Sequence, residues 1–156
     1  MQKISPFLWF DKEAKQAAEF YVKVFGGNSK IKSSTTQGNT PSGTVEIVNI
    51  ELLGQEFTLM SAGPFAKFNE SISFTIDCAD QAEVDHFWNA LTADGGQESQ
   101  CGWLKDKFGV SWQVVPRVLN ELMNDKDKAR SGRAMQAMLK MKKIIIKDIQ
   151  DAADQK

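Results

Sequence analysis

The feature that most restricts how this chain can fold is an internal repeat. Residues 3–10 (KISPFLWF) and 71–78 (SISFTIDC) are short runs rich in β-branched and aromatic residues, and each leads through an aspartate into an amphipathic stretch. At an offset of 66, Leu8 falls on Phe74, Phe10 on Ile76 and Asp11 on Asp77. One residue later in register, Ala17 falls on Val84, Phe20 on Phe87, Tyr21 on Trp88 and Val24 on Leu91. Each amphipathic stretch is followed by three short strand-like runs. The last of these is opened by a glycine, Gly54 before Phe57-Thr58 and Gly109 before Trp112-Gln113. Self-similarity on this scale marks one supersecondary unit used twice, here βαβββ. The fold class is therefore α+β, with two modules spanning about residues 3–62 and 71–116.

Local signals fill in the modules. Residues 3–10 read as a strand with Pro6 near its start, where a missing amide donor is tolerated. Asp11 is the expected N-cap of a helix whose buried face is Ala14, Ala17, Ala18, Tyr21, Val24 and Phe25, closed by Gly26 and Gly27. A weak strand over 30–36, a loop over 37–43, and strands over 44–53 and 56–62 closed at Gly54-Gln55 complete the first module. In the second, a strand over 71–78 precedes Asp80 as N-cap and a helix over 81–93. Gly109 and Pro116 bracket a strand over 110–115. Beyond Pro116, residues 117–156 form a helical extension packing on the paired modules (1–116) or on a partner subunit. Val118, Leu119 and Leu122 make a short apolar stripe. After a charged break at 124–128, one helix over 129–150 presents Ala134, Met138, Met141, Ile145 and Ile149 on one face.

Composition narrows the function classes. The 156 residues are enough for a core without disulfide staples, and the two cysteines make no disulfide framework, so a reducing cytoplasm is expected. A net charge of -1 gives no electrostatic case for nucleic acid or an anionic membrane. The longest aliphatic run, Ile144–Ile146, is far too short to span a bilayer, and the first residues lack the apolar core of a signal peptide.

The segments FLWFDKEAKQAAEFYVKVFGG, SISFTIDCADQAEVDHFW, CGWLKDKFGVSWQVVP and AMLKMKKI resemble the PhnB-like group of the vicinal oxygen chelate superfamily. The superfamily includes glyoxalase I, bleomycin-resistance proteins and extradiol dioxygenases, and the group often carries the label 3-demethylubiquinone-9 3-methyltransferase. The resemblance implies a cup-shaped mixed sheet from each module, the two cups facing one cleft, with homodimers common. In metal-dependent members four ligands come from the first and last strands of each module. Those positions fall here on Ser5, Thr58, Ser71 and Gln113. Hydroxyls and one amide are poor ligands for a divalent cation, so no metal is expected. The methyltransferase label also lacks support in the residues, because no G-x-G turn for adenosylmethionine occurs. No cofactor is assigned.

Alternation along the strands turns Leu8, Phe10, Ile72, Phe74 and Ile76 under the helices. It turns Ser5, Phe7, Trp9, Ser71, Ser73 and Thr75 into the cleft, joined by Thr58, Met60, Ser111, Gln113 and Val115. Such a lining suits an uncharged or aromatic molecule, although Phe7, Trp9 and Met60 would equally serve as ordinary core. The expected ligand contacts are Ser5, Phe7, Trp9, Thr58, Met60, Ser71, Ser73, Trp103 and Gln113. Cys101, close in sequence to Lys105 and Lys107, is the one candidate nucleophile, set against a packing role; Cys78 reads as packing. His86 lies off the buried helix face, Asp106 and Lys107 read as solvated turn residues, and Asp77 and Asp80 as helix-start residues. Three readings follow: a metal-free, PhnB-like small-molecule-binding protein; an enzyme on the same cleft, either a methyltransferase as the label says or another transferase or isomerase, using Cys101; or a resistance-type sequestering protein. A homodimer in the cytoplasm is expected for each.

Overall fold

The computed structural model describes residues 2–155, which fall into two compact units meeting between Phe68 and Asn69, each holding one module. In the first, β1 (Phe7–Phe10), α1 (Ala14–Phe25), β2 (Lys30–Thr40), β3 (Gly43–Leu52) and β4 (Gln55–Ser61) follow in order. The sheet order is β1-β4-β3-β2, with β1 parallel to β4 and the other pairs antiparallel. A parallel first and last strand requires the long crossover that α1 and the hairpin provide. Leu8, Phe10, Val48, Ile50, Phe57 and Leu59 are buried on the face that α1 covers with Ala17, Ala18, Tyr21 and Val24. The opposite face has no helix of this unit on it.

Three expectations for this unit are corrected. Asp11 does not cap α1: the helix begins after Glu13, and Ser61 Oγ accepts the Ala14 amide at 2.9 Å. Asp11 instead lends its carbonyl to the Gly63 amide. The loop expected over 37–43 is mostly strand, because β2 runs to Thr40 and only the tight connection to Gly43 remains. Its polar residues gave no amphipathic signal, yet a strand ladder needs only backbone groups, and β2 pairs with β3 along its length. The next hairpin turns at Leu53-Gly54, one residue earlier than expected, with φ of 49° and 90° and Leu52 opposite Gln55. Both positive values fit the tight turn that the twist of paired strands favours.

The second unit repeats the pattern. It contains β5 (Phe74–Cys78), α2 (Gln81–Thr92), β6 (Gln97–Glu98), β7 (Trp103–Lys105) and β8 (Ser111–Pro116), in the order β5-β8-β7-β6 with β5 parallel to β8. The two modules thus share one topology, and the fold is the α+β class read from the repeat. Asp80 caps α2 as expected, accepting the Glu83 amide at 2.9 Å, while Glu83 reaches back to the Ala79 amide. His86 is exposed on α2. The strand expected from Ser71 starts only at Phe74.

Three helices complete this unit: α3 (Arg117–Met123), α4 (Lys128–Met138) and α5 (Ile146–Ala153). The single helix expected over 129–150 is therefore two helices with a break. The backbone between α4 and α5 is bonded outside any helix: the Cys101 and Gly102 amides donate to the carbonyls of Met141 and Lys142 at 2.8 Å each. The Gln81 side chain donates to Ile144 O and accepts from the Ile146 amide. These bonds compete directly with the helical ladder, and the β-branched Ile144–Ile146 run lowers the penalty of leaving it. Ile144 and Ile149 then join Leu119, Leu122, Ala134 and Ala153 in a buried cluster. Arg133 closes the group by donating to the last carbonyls of α5, Ala152 and Ala153.

Candidate functional site

Each sheet buries one face under its helix and leaves a second face whose side chains follow from the register. In the first unit, Phe7 lies opposite Thr58 and Trp9 opposite Met60, while Asn49 and Ile47 lie beside Thr58 and Met60 on β3. Thr58 donates to Asn49 Oδ1 at 2.8 Å, and Asn49 donates to Ser33 Oγ at 2.9 Å. A polar chain therefore crosses three strands amid apolar neighbours. The Trp9 indole donates to Gly63 O at 3.0 Å, which fixes a half-buried ring. Phe7 is 58% exposed. Ser5 precedes β1 and is exposed, so strand alternation does not orient it.

In the second unit, Gln113 on β8 lies beside Thr75 on β5 and Trp103 on β7, and its amide donates to Ser73 Oγ at 2.9 Å. Ser71 lies before β5, exposed, with its hydroxyl and amide both bonded to Asn69 Oδ1. Each sheet thus gathers its own share of the expected contacts: Phe7, Trp9, Thr58 and Met60 on one, Ser73, Trp103 and Gln113 on the other. The sequence reading missed Asn49, although the alternation of Val48, Ile50 and Leu52 towards α1 leaves Asn49 on the open side.

The four positions matched to metal ligands do not make a donor set for a divalent cation. The hydroxyls of Thr58 and Ser71 donate to Asn49 and Asn69, and the Gln113 amide donates to Ser73. None of the four carries an anionic oxygen, an imidazole or a thiolate.

Asp106 corrects the reading of the Asp-Lys-Phe-Gly turn. It is 3% exposed, and its carboxylate accepts the amides of Phe108 and Val110 and the Trp112 indole at 2.9, 3.1 and 2.8 Å. It ties the turn to β8 from within and is not a solvated residue. Of the two lysines near Cys101, Lys105 pairs with Glu70 at 3.1 Å and Lys107 lies over the Phe108 ring.

Cys78 is buried, and desolvation, reinforced by Glu83, Asp77 and Asp80, pushes its thiol up to about 12. Cys101 is only half-buried. Brief alkylation of the native protein at neutral pH is expected to modify Cys101 while Cys78 reacts only after unfolding. Peptide mapping that finds both labelled at similar rates contradicts this assignment.

A family described as 3-demethylubiquinone-9 3-methyltransferase matches residues 2–115. The chain belongs to that family. Among solved structures, a putative 3-demethylubiquinone-9 3-methyltransferase, the PhnB protein from Bacillus cereus, is 28% identical. That match has a TM-score of 0.66 and covers 74% of this chain and 99% of the other. A Pseudomonas aeruginosa protein is 21% identical with a TM-score of 0.58, over 74% of this chain and 98% of its own. The fosfomycin resistance protein FosX from Listeria monocytogenes shares the fold at 16% identity, with a TM-score of 0.55, over 80% of this chain and 98% of its own. No curated protein is significantly similar. The PhnB-like assignment is thereby established, with a fold shared by the PhnB protein and by FosX.

Proposed function

We propose that this PhnB-like protein is a metal-free small-molecule-binding protein for a largely apolar or aromatic ligand, with Phe7, Trp9, Thr58 and Met60 as the candidate contacts of the first unit and Ser73, Trp103 and Gln113 as those of the second. One observation carries the reading. On the face of the first sheet away from α1, and on the face of the second that carries Trp103 and Gln113, aromatic side chains stand beside neutral polar groups already held in order, through Thr58–Asn49–Ser33 and Gln113–Ser73. Preformed, uncharged polar points among apolar walls are what a small, largely apolar ligand requires for orientation. We also propose a homodimer, which would cover apolar side chains such as Phe65 (76% exposed). A cytoplasmic location fits the two free cysteines. Among the described residues, no helix is long and apolar enough to cross a membrane.

Native mass spectrometry of the purified protein tests this reading, with elemental analysis and with identification of what denaturation releases. The expected result is a dimer retaining a small organic molecule with no stoichiometric metal, and loss of that molecule on Trp9→Ala. One tightly held divalent ion per subunit overturns the assignment. Turnover of the released molecule that is abolished by Cys101→Ser replaces binding with catalysis.

A further inference from the structure

We infer that the open face of the second sheet holds a recognition point for a small planar carboxylate, formed by Lys105 and Ser111 beside Trp103. The inference deepens the ligand-binding reading and rests on it. The register sets Gln97, Lys105 and Ser111 in one row across β6, β7 and β8, each opposite the next. Directly opposed residues on one face come within about 5 Å at their Cβ atoms, close enough for two side chains to reach one group. The neighbouring row on this face carries Trp103 and Gln113. Together with Glu70 and Glu98, four of these residues (Gln97, Lys105, Ser111 and Trp103) border a cavity of about 220 Å³. An apolar cavity of about 150 Å³ accommodates benzene, so one ring with a substituent fits this space.

The decisive atom is Ser111 Oγ. It is buried, belongs to a residue only 3% exposed that borders the cavity, and, among the described residues, has no hydrogen-bond partner. Buried hydroxyls are almost always bonded, because burial without a partner is destabilising. A ligand oxygen supplies the missing partner.

Charge selects what that oxygen belongs to. Lys105 Nζ already holds a carboxylate, Glu70 Oε2 at 3.1 Å, but the Glu70 side chain is 72% exposed. An exposed pair of this kind is weak and readily exchanged. A ligand carboxylate displacing Glu70 gains the ammonium of Lys105 and the hydroxyl of Ser111, with the Gln97 amide in the same row. Glu98, the other acid bordering the cavity, is already committed to the Trp88 indole, which it accepts at 2.8 Å. The half-buried Trp103 ring offers a flat wall to the ligand's planar body.

Benzoate and its neutral isostere benzamide, titrated into the full-length protein and followed by amide chemical shifts, test the inference. Benzoate is expected to saturate shifts at Trp103, Lys105 and Ser111. Benzamide, Ser111→Ala and Lys105→Met should each weaken the effect by about tenfold, the loss of one charge-assisted hydrogen bond. Ser111→Ala should also melt no lower than the parent, since it deletes a hydroxyl that has no partner. Equal binding of benzamide, benzoate affinity unchanged in both variants, or no saturation below about 10 mM overturns the proposal. If benzoate fails while the purified protein still retains an apolar molecule, the carboxylate point alone falls.

Discussion

Gly102→Ala is expected to destabilise the protein by about 3 kcal/mol, the sum of a left-handed backbone penalty and overpacking against a strand. Gly102 has a φ of +82°, and an added Cβ would lie 2.8 Å from Val114 O and 3.3 Å from Ile144 Cγ1. The first neighbour is backbone and cannot move aside cheaply, because the Val114 amide is itself bonded to Gly102 O at 2.8 Å. The second belongs to the buried core of the C-terminal helices. One methyl group therefore strains the attachment of those helices to the sheet as well as β8. For a chain of this length the melting midpoint should fall by about 6–12 °C. The same substitution at Gly132, inside α4 with nothing within 4 Å and no left-handed φ, should instead stabilise by about 0.5–1 kcal/mol. Calorimetry of the two variants side by side gives the sign of each, and equal midpoints would remove the steric argument at Gly102.

Asp106→Ala should cost about 3 kcal/mol or more, because it strands three donors in the interior: the amides of Phe108 and Val110 and the indole of Trp112. The turn is also held by Asp106 N to Val110 O and Gly109 N to Asp106 O, both 2.9 Å. Asp106→Asn is the informative companion. Its remaining oxygen can keep the two amides, whereas its NH2 group would face the indole donor, so the loss should be about half as large. Denaturant unfolding followed by tryptophan emission reads both stability and the altered surroundings of Trp112. Two variants indistinguishable from the parent would mean that the carboxylate is not the knot of this turn.

Asp106 also shows where sequence reasoning reaches its limit. An aspartate beside a lysine and before Phe-Gly has the local signature of a solvated turn, and nothing nearby in the sequence announces that an indole six residues on will enclose it. Asp11 and Asp80 make the same point as a pair. Both are aspartates ahead of an amphipathic run, and only Asp80 caps its helix. At the first helix Ser61, from a strand 47 residues away in sequence, takes the amide instead. Cap propensity is local, whereas a competing partner brought in by the sheet is not.

The candidate site divides along the same line. Period-two alternation placed Phe7, Trp9, Thr58, Met60 and Gln113 on the faces opposite the helices, because side-chain direction in a strand is set by the backbone itself. Alternation is silent about Ser5 and Ser71, which precede their strands, and about the bonds that commit Thr58 to Asn49 and Gln113 to Ser73. It also placed Ser111 on the open face but gave no sign that its hydroxyl would be buried without a partner.

Taken by itself, the sequence determined the repeated βαβββ order, the helix faces and the class of fold, since these follow from periodicities of two and 3.6 that any window of the chain displays. Tertiary structure alone decided three further matters. It extended a polar stretch into β2 through its ladder with β3. It broke the last amphipathic run between α4 and α5, because amides of residues 101–102 and the side chain of Gln81 capture that backbone. It also chose which buried polar atoms are satisfied. Each of these depends on a hydrogen-bonding group arriving from far along the chain, and a main-chain amide or carbonyl bonds whichever partner the fold delivers.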